Sequence, residues 1–346
     1  MREKMQIGVR VPPCRPAAEI GDFAGRVELA GFDALYVPDS QTLWRDAYLT
    51  LYAVALRTSR LKLVTAVSNM ITRHPTVIAS LARSIDEAAP GRFVLGLGVG
   101  HSSVEPIGMS PSTGAQLREA VDQVRRLVRG EELAYGTGRA RIRDPRPDGV
   151  PVHIVATGPR NLRLAGAIGD GAILLSGVAA DPLRQAVSLI RQGATEAGRN
   201  PDDMQITVAA HTMVTDDIER DARILKPVVA TVAQKGGRAA LEMLGIDVDV
   251  PAHVPEVTPD LIHAEDWNLA VKVSSRWVSD ADAAAFARGF CLFGTAEDIV
   301  ERLEVIAGLG ITSVFMQHVG SWDLPERLVQ SVGRKVMPLL GDKAHG

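Results

Sequence analysis

The 346-residue chain holds only two cysteines, Cys14 and Cys291, far apart in sequence. That excludes a disulfide-stapled scaffold and suits a reduced compartment, the cytosol in the simplest reading. The eight histidines are scattered; there is no His-x-x-x-His or Cys-x-x-Cys pair, so no metal site is expected. No apolar run reaches the ~18 to 20 residues of a membrane span. The opening MREKMQIGVRV has charge but no long apolar stretch, so it does not read as a signal peptide. Lys and Arg total 38 against 41 Asp and Glu, a net charge of −3, which leaves no basic footprint for nucleic acid.

What is present is a composition 46% hydrophobic, enough for a sizeable core, and glycine in telling places. The stretch RFVLGLGVGHSSVEPIG (92–108) has Gly96, Gly98 and Gly100 at alternate positions after an apolar run. The dinucleotide fingerprint G-x-G-x-x-G would need glycine at 101 or 103, and these are His101 and Ser103. No Gly-Lys-Ser/Thr follows, so a phosphate loop is excluded too. The glycines ask for close backbone approach, without saying to what.

Along the chain, short apolar or β-branched runs alternate with segments of helical period. Strands are expected at 5–11, 34–38, 61–67, 93–98, 152–156, 172–175, 204–210 and 312–317. Helices are expected at 16–30, 46–57, from Pro75 to about 88, 112–129, 159–168, 182–197, 218–232, 296–309 and 325–340. A doubly wound sheet usually has fewer strands. Eight βα units fit one (β/α)8 TIM-barrel domain across 1–346, with insertions near 101–111, 131–150 and 233–292. In such a barrel the site lies where strands end, and the glycines of strand four then face a ligand there.

Five stretches in order resemble the luciferase-like flavin and deazaflavin oxidoreductases: GFDALYVPDSQTLWRD (31–46), VTAVSNMITRHP (64–75), RFVLGLGVGHSSVEPIG, VPVHIVATGPRNLRLAGAIGDGAIL (150–174) and FGTAEDIVERLEVIAGLGITSVFM (293–316). The stretch after strand four is most similar to the coenzyme F420 branch, that of methylene-tetrahydromethanopterin reductase. The resemblance implies a bacterial luciferase-like barrel and an F420-dependent oxidoreductase. It would transfer hydride between the deazaflavin and a small organic substrate, at a CH–OH, C=C or C=N group. It also implies a homodimer. An FMN-dependent monooxygenase, or an F420-binding protein with little catalysis, remains an alternative.

Carried onto this chain, the resemblance implies that Asp39 hydrogen-bonds the cofactor. The bond Ala66–Val67 matches a non-prolyl cis bulge that backs the deazaflavin ring, and Asn69 could donate to a ring carbonyl. Gly98, Val99 and Gly100 would border the cofactor. Thr157, Gly158, Pro159, Arg160 and Asn161 would meet its tail at a helix start, where free N–H groups attract anions. Trp44 would lie beside ring and substrate. Ser40 stands where relatives place a histidine base, and a serine cannot take that role unaided. His101 is the leading proton donor or acceptor, with Glu105 as the alternative. Arg73 and His74 read as structural. Arg10 replaces a family glutamate, a departure that suits a substrate with an anionic group.

Overall fold

The computed structural model describes residues 5–320 and 322–342. Eight parallel strands close into a barrel: Gln6–Arg10, Ala34–Val37, Lys62–Thr65, Phe93–Leu97, Val152–Ala156, Gly171–Leu174, Gln205–Val214 and Ser313–Gln317, here the first to eighth strands. The eighth pairs with both the first and the seventh, and the sixth with the seventh, which closes the ring. Helices follow the strands and pack outside, so each strand is covered on both faces and reads as an apolar run. Among the described residues no helix is long and apolar enough to cross a membrane.

Two apolar layers result. Outward strand residues such as Ile7, Val9, Leu35 and Leu63 join the helices in the main core. Inward residues Ala34, Tyr36, Val64, Val94, Ile173, Ala209 and Phe315 fill the barrel. Gly8 is inward too, and a Cβ there would stand 2.4 Å from the Tyr36 ring, so its absence makes room for the Tyr36–Phe315 stack. Local chemistry sets the helix starts. Pro75 opens Pro75–Ala88, with His74 Nδ1 accepting from the Thr76 N–H, and Thr113 with Gln116 makes a capping box before Gly114–Val128.

The expected elements match except in four places. The seventh strand runs on to Val214 because it gains a parallel partner, Leu292–Gly294, a ninth strand outside the barrel that the alternation did not signal. The helix expected over 218–232 is broken into Ile218–Asp221, a 3-10 turn Ala222–Leu225, and Lys226–Gln234. Pro227 lacks the N–H that a continuous helix needs there. The closing helix contains a π turn, Val332–Val336, just before Pro338, which cannot donate to Arg334. The 131–150 insertion is a hairpin, Leu133–Tyr135 with Gly138–Ala140. Region 233–292 carries helices Arg238–Glu242, Trp267–Ser274 and Asp280–Phe290 around an apolar cluster of its own with Leu241, Val273 and Phe286.

Candidate active site at the carboxyl end of the barrel

Strands two, three and four bring most of the expected residues together. Asp39 ends the second strand, with its carboxylate 1% exposed. It accepts from Ser68 Oγ at 2.7 Å and from Arg73 Nη1 at 2.5 Å. Arg73 also reaches Asp46 at 2.8 Å, and its guanidinium lies 5.2 Å from the centre of the Tyr48 ring. Burial pushes the Asp39 carboxyl above its ordinary range; Arg73 and Ser68 pull it back only in part. Burial opposes the Arg73 charge as well, but Asp39 and Asp46 outweigh it and hold the guanidinium protonated. Asp46 in turn caps the helix Ala47–Ala55 by accepting from the Leu49 N–H.

The bond Ala66–Val67 is cis. Beyond it, Ser68 N–H donates to Gly96 O and Gly98 N–H donates to Ser68 O, so this segment is stitched to the fourth strand. That explains the alternating glycines. A Cβ at Gly96 would lie 1.9 Å from Thr65 O, and one at Gly98 would lie 2.9 Å from Val67 Cγ2. The neighbouring strand is thus what excludes a side chain at these two positions. Gly100 has φ +89, a left-handed conformation, and opens the short helix His101–Val104.

The 101–105 loop is fixed from three sides. Ser40 Oγ and Ser102 Oγ are 2.7 Å apart, Gln41 donates to Ser103 O, and Asn69 Nδ2 donates to Ser103 Oγ at 2.9 Å. Asn69 Oδ1 accepts from the N–H groups of Ile71 and Thr72, so its amide shapes the loop. Val99 O accepts from the Ser112 N–H. His101 Nδ1 is 3.0 Å from Glu105 Oε1, and both side chains are largely exposed. With the carboxylate accepting, Nδ1–H donates to Glu105 and Nε2 is left for another partner.

On the fifth strand's side, Thr157 precedes the helix Gly158–Ile168 and makes no side-chain cap. Gly158 has φ +73 with open space around it, and Thr157, Gly158, Pro159 and Arg160 are exposed while Asn161 is half-buried. The first N–H groups of this helix are therefore uncapped by Thr157.

Trp44 belongs to the same loop as Ser40, its N–H donating to Ser40 O at 2.9 Å. It is buried with Cys14, Leu43 and Leu324, and its ring is 5.1 Å from that of Trp322 and 5.5 Å from the Arg10 guanidinium. Sequence reasoning assigned no role to His211 on the seventh strand, Gln317 at the end of the eighth, or His318 just beyond it. For His211 and Gln317 the signal was the two-residue period, because Ala209 and Phe315 face the barrel interior and residues two further on face the same way.

A family model described as luciferase-like monooxygenase matches residues 5–313. The chain is 27% identical to the 5,10-methylenetetrahydromethanopterin reductase of Archaeoglobus fulgidus, over 97% of this chain and 100% of that protein. It is 29% identical to the F420-dependent glucose-6-phosphate dehydrogenase of Nakamurella multipartita, over 93% and 92%. The solved structure of the coenzyme F420 dependent tetrahydromethanopterin reductase from Methanopyrus kandleri superposes with a TM-score of 0.78, at 23% identity, covering 97% of this chain and 99% of that one. With the family model matching this much of a closed barrel, the chain belongs to the luciferase-like monooxygenase family.

Proposed function

We propose that this protein is an F420-dependent oxidoreductase acting on a small organic substrate. One observation carries the reading: relatives named for quite different substrates, a pterin and a sugar phosphate, are alike end to end with this chain and have F420 in common. When bound, the deazaflavin supplies a hydride donor or acceptor at its C5 carbon.

The residues at the mouth fit such a group. Ala66, Val67 and Val155 present a partly buried apolar floor at the top of the barrel, suited to a flat ring. Asp39, neutralised by Arg73, holds the rim of that floor through Ser68. Gly98, Val99 and Gly100 form the adjoining edge, and Asn69 keeps the loop beyond it in place. The uncapped helix start at Gly158, with exposed Arg160, suits an anionic tail. His101, oriented by Glu105, is the residue that gives or takes one proton at Nε2. Ser40 serves through its contact with Ser102.

A homodimer is part of the reading. Leu49, Tyr52 and Leu56 stand 67%, 43% and 60% exposed on one face of the second helix, an apolar stripe that a second copy would cover. Two buried free thiols suit a reduced compartment.

Anaerobic mixing with reduced F420 and a panel of ketones, enones and imines tests the reading. Substrate-dependent return of the oxidised deazaflavin absorbance is expected, and His101→Gln should slow it by about 10²-fold while F420 affinity is kept. Oxygen consumption with FMN, and no exchange with F420, would overturn it.

A further inference from the structure

We propose that the barrel mouth carries an anion subsite, built on Arg10 with Gln317 and His211, that holds a carboxylate or phosphate group of the substrate. The assignment of a substrate rests on the oxidoreductase reading above; the subsite itself rests on the following geometry.

Gly8 pairs with Phe315 across the first and eighth strands, and Phe315 pairs with Ala209 across the eighth and seventh. Phe315 and Ala209 belong to the barrel interior, and the Tyr36 ring fills the space inward of Gly8. Gln317 pairs with His211 two residues further on, and Arg10 lies two residues beyond Gly8 on the adjacent strand, one step past the last Val9–Met316 pair, on the same inward face. This is the upper layer, directly above the apolar filling.

Arg10 is partly buried, and among the described residues no carboxylate lies within ion-pair distance of it; its contact is the face of Trp44. Other partly buried arginines of the fold are satisfied: Arg73 has two carboxylates, and Arg92 has Thr58 and the carbonyls of Ala55, Thr58 and Leu61. Burial lowers the Arg10 guanidinium only to about 10, so it stays charged. A desolvated cation without an anion is costly, and the deficit is removed by a ligand that brings one.

Gln317 and His211 supply donors. Gln317 Nε2 is 3.1 Å from His211 Nε2. With the amide donating, the ring proton sits on Nδ1, beside the His318 backbone and with no partner at full hydrogen-bond geometry. Burial, with Arg10 and His318 beside it, pushes His211 down to about 3, so it offers a neutral N–H. His318 stands outside this inward row; its Nε2–H donates to Asp323 Oδ1 at 3.1 Å, which occupies the nearby carboxylate. Strands seven, eight and one lie across the ring from strands three and four, which carry Ala66–Val67 and Gly98. An anionic group held at Arg10 would thus leave the rest of a substrate reaching toward the apolar floor.

The test uses the full-length protein without coenzyme, at constant ionic strength balanced with chloride. Inorganic phosphate and succinate are each titrated against tryptophan fluorescence, which Trp44 reports from beside Arg10. F420 is titrated in parallel on the same samples. A saturable response to one of the two anions is expected in the wild type, weakened at least about tenfold in Arg10→Met and less in Arg10→Lys, with F420 affinity unchanged. Phosphate preferred over succinate identifies a phosphoryl group, and the reverse a carboxylate. No saturable response to either anion, or equal affinity in Arg10→Met, overturns the subsite and leaves Arg10 as a cation stacked on Trp44. Should Arg10→Met not fold, Arg10→Lys and Gln317→Leu give the same decision. Anion binding without F420 binding would keep the subsite and remove the coenzyme reading.

Discussion

Replacing Arg73 by methionine removes the cation that pairs with Asp39. The carboxylate is 1% exposed and would keep one charge-stabilising contact, Ser68 Oγ at 2.7 Å. Breaking a buried pair by deleting one partner costs about 3 to 5 kcal/mol, because the remaining charge is left uncompensated. Arg73 also loses Asp46, but that carboxylate is 38% exposed and its share is small. At about 1.4 °C per kcal/mol for a chain of 346 residues, the melting temperature should fall by roughly 4 °C or more at pH 7. The pH dependence gives a second handle. The folded Asp39 carboxyl already lies above its ordinary value through burial. A raised acid favours its protonated form in the folded state, so the penalty is absent below the unfolded value and develops as pH rises through the folded one. Without Arg73 the folded value climbs further. The deficit of Arg73→Met should therefore shrink at acidic pH and grow toward neutrality. Thermal denaturation across pH, run as a cycle with Asp39→Asn, measures this. The double variant should recover most of the loss. A single variant as stable as the wild type at pH 7, or a double variant no better than Arg73→Met, would refute the account.

Gly96→Ala drives a Cβ to within 1.9 Å of Thr65 O, a backbone atom that cannot move aside. It should cost about 3 kcal/mol or prevent folding, whereas Gly308→Ala, in a helix with open space around it, should be neutral or stabilising by up to about 1 kcal/mol in denaturant titration. Cys14 and Cys291 are both buried, and burial pushes both thiols up. A chromogenic disulfide reagent should therefore find almost no thiol in the native protein and two after denaturation; rapid native reaction of Cys291 would contradict the core packing. Leu49→Glu with Leu56→Glu should convert a dimer to monomer in light scattering, and an unchanged mass would remove the second helix from the interface.

The barrel was legible because its strands are short, apolar and covered on both faces, with proline, glycine and capping residues marking the helices between them. The strand Leu292–Gly294 was not, because three residues carry no period and its partner, Thr212–Val214, is about eighty positions away. The breaks at Pro227 and before Pro338 were written in the chain, but the apolar period runs through both prolines and masks them. At the site, the strand-end residues Asp39, Ala66, Val67 and Gly98 could be placed from the alternation and the family resemblance. What they touch could not. The pairing of Asp39 with Arg73 joins two loops, and the turn of Trp44 toward Trp322 depends on strands at opposite ends of the chain. Arg10 showed its identity in sequence; its inward face and its lack of a counter-ion emerge only when strands one, seven and eight lie side by side.

The central claim is the coenzyme, and a paired binding titration tests it most directly. Purified protein without coenzyme is titrated with F420 and with FMN at the same salt and pH, followed by the fluorescence of each. Saturable F420 binding at least about tenfold tighter than FMN is predicted, with the preference kept in Arg10→Met and reduced when Arg160 is replaced by Ala. Tighter FMN binding, or saturation by neither, would contradict the assignment of the apolar floor at Ala66 and Val67 and of the helix start at Gly158.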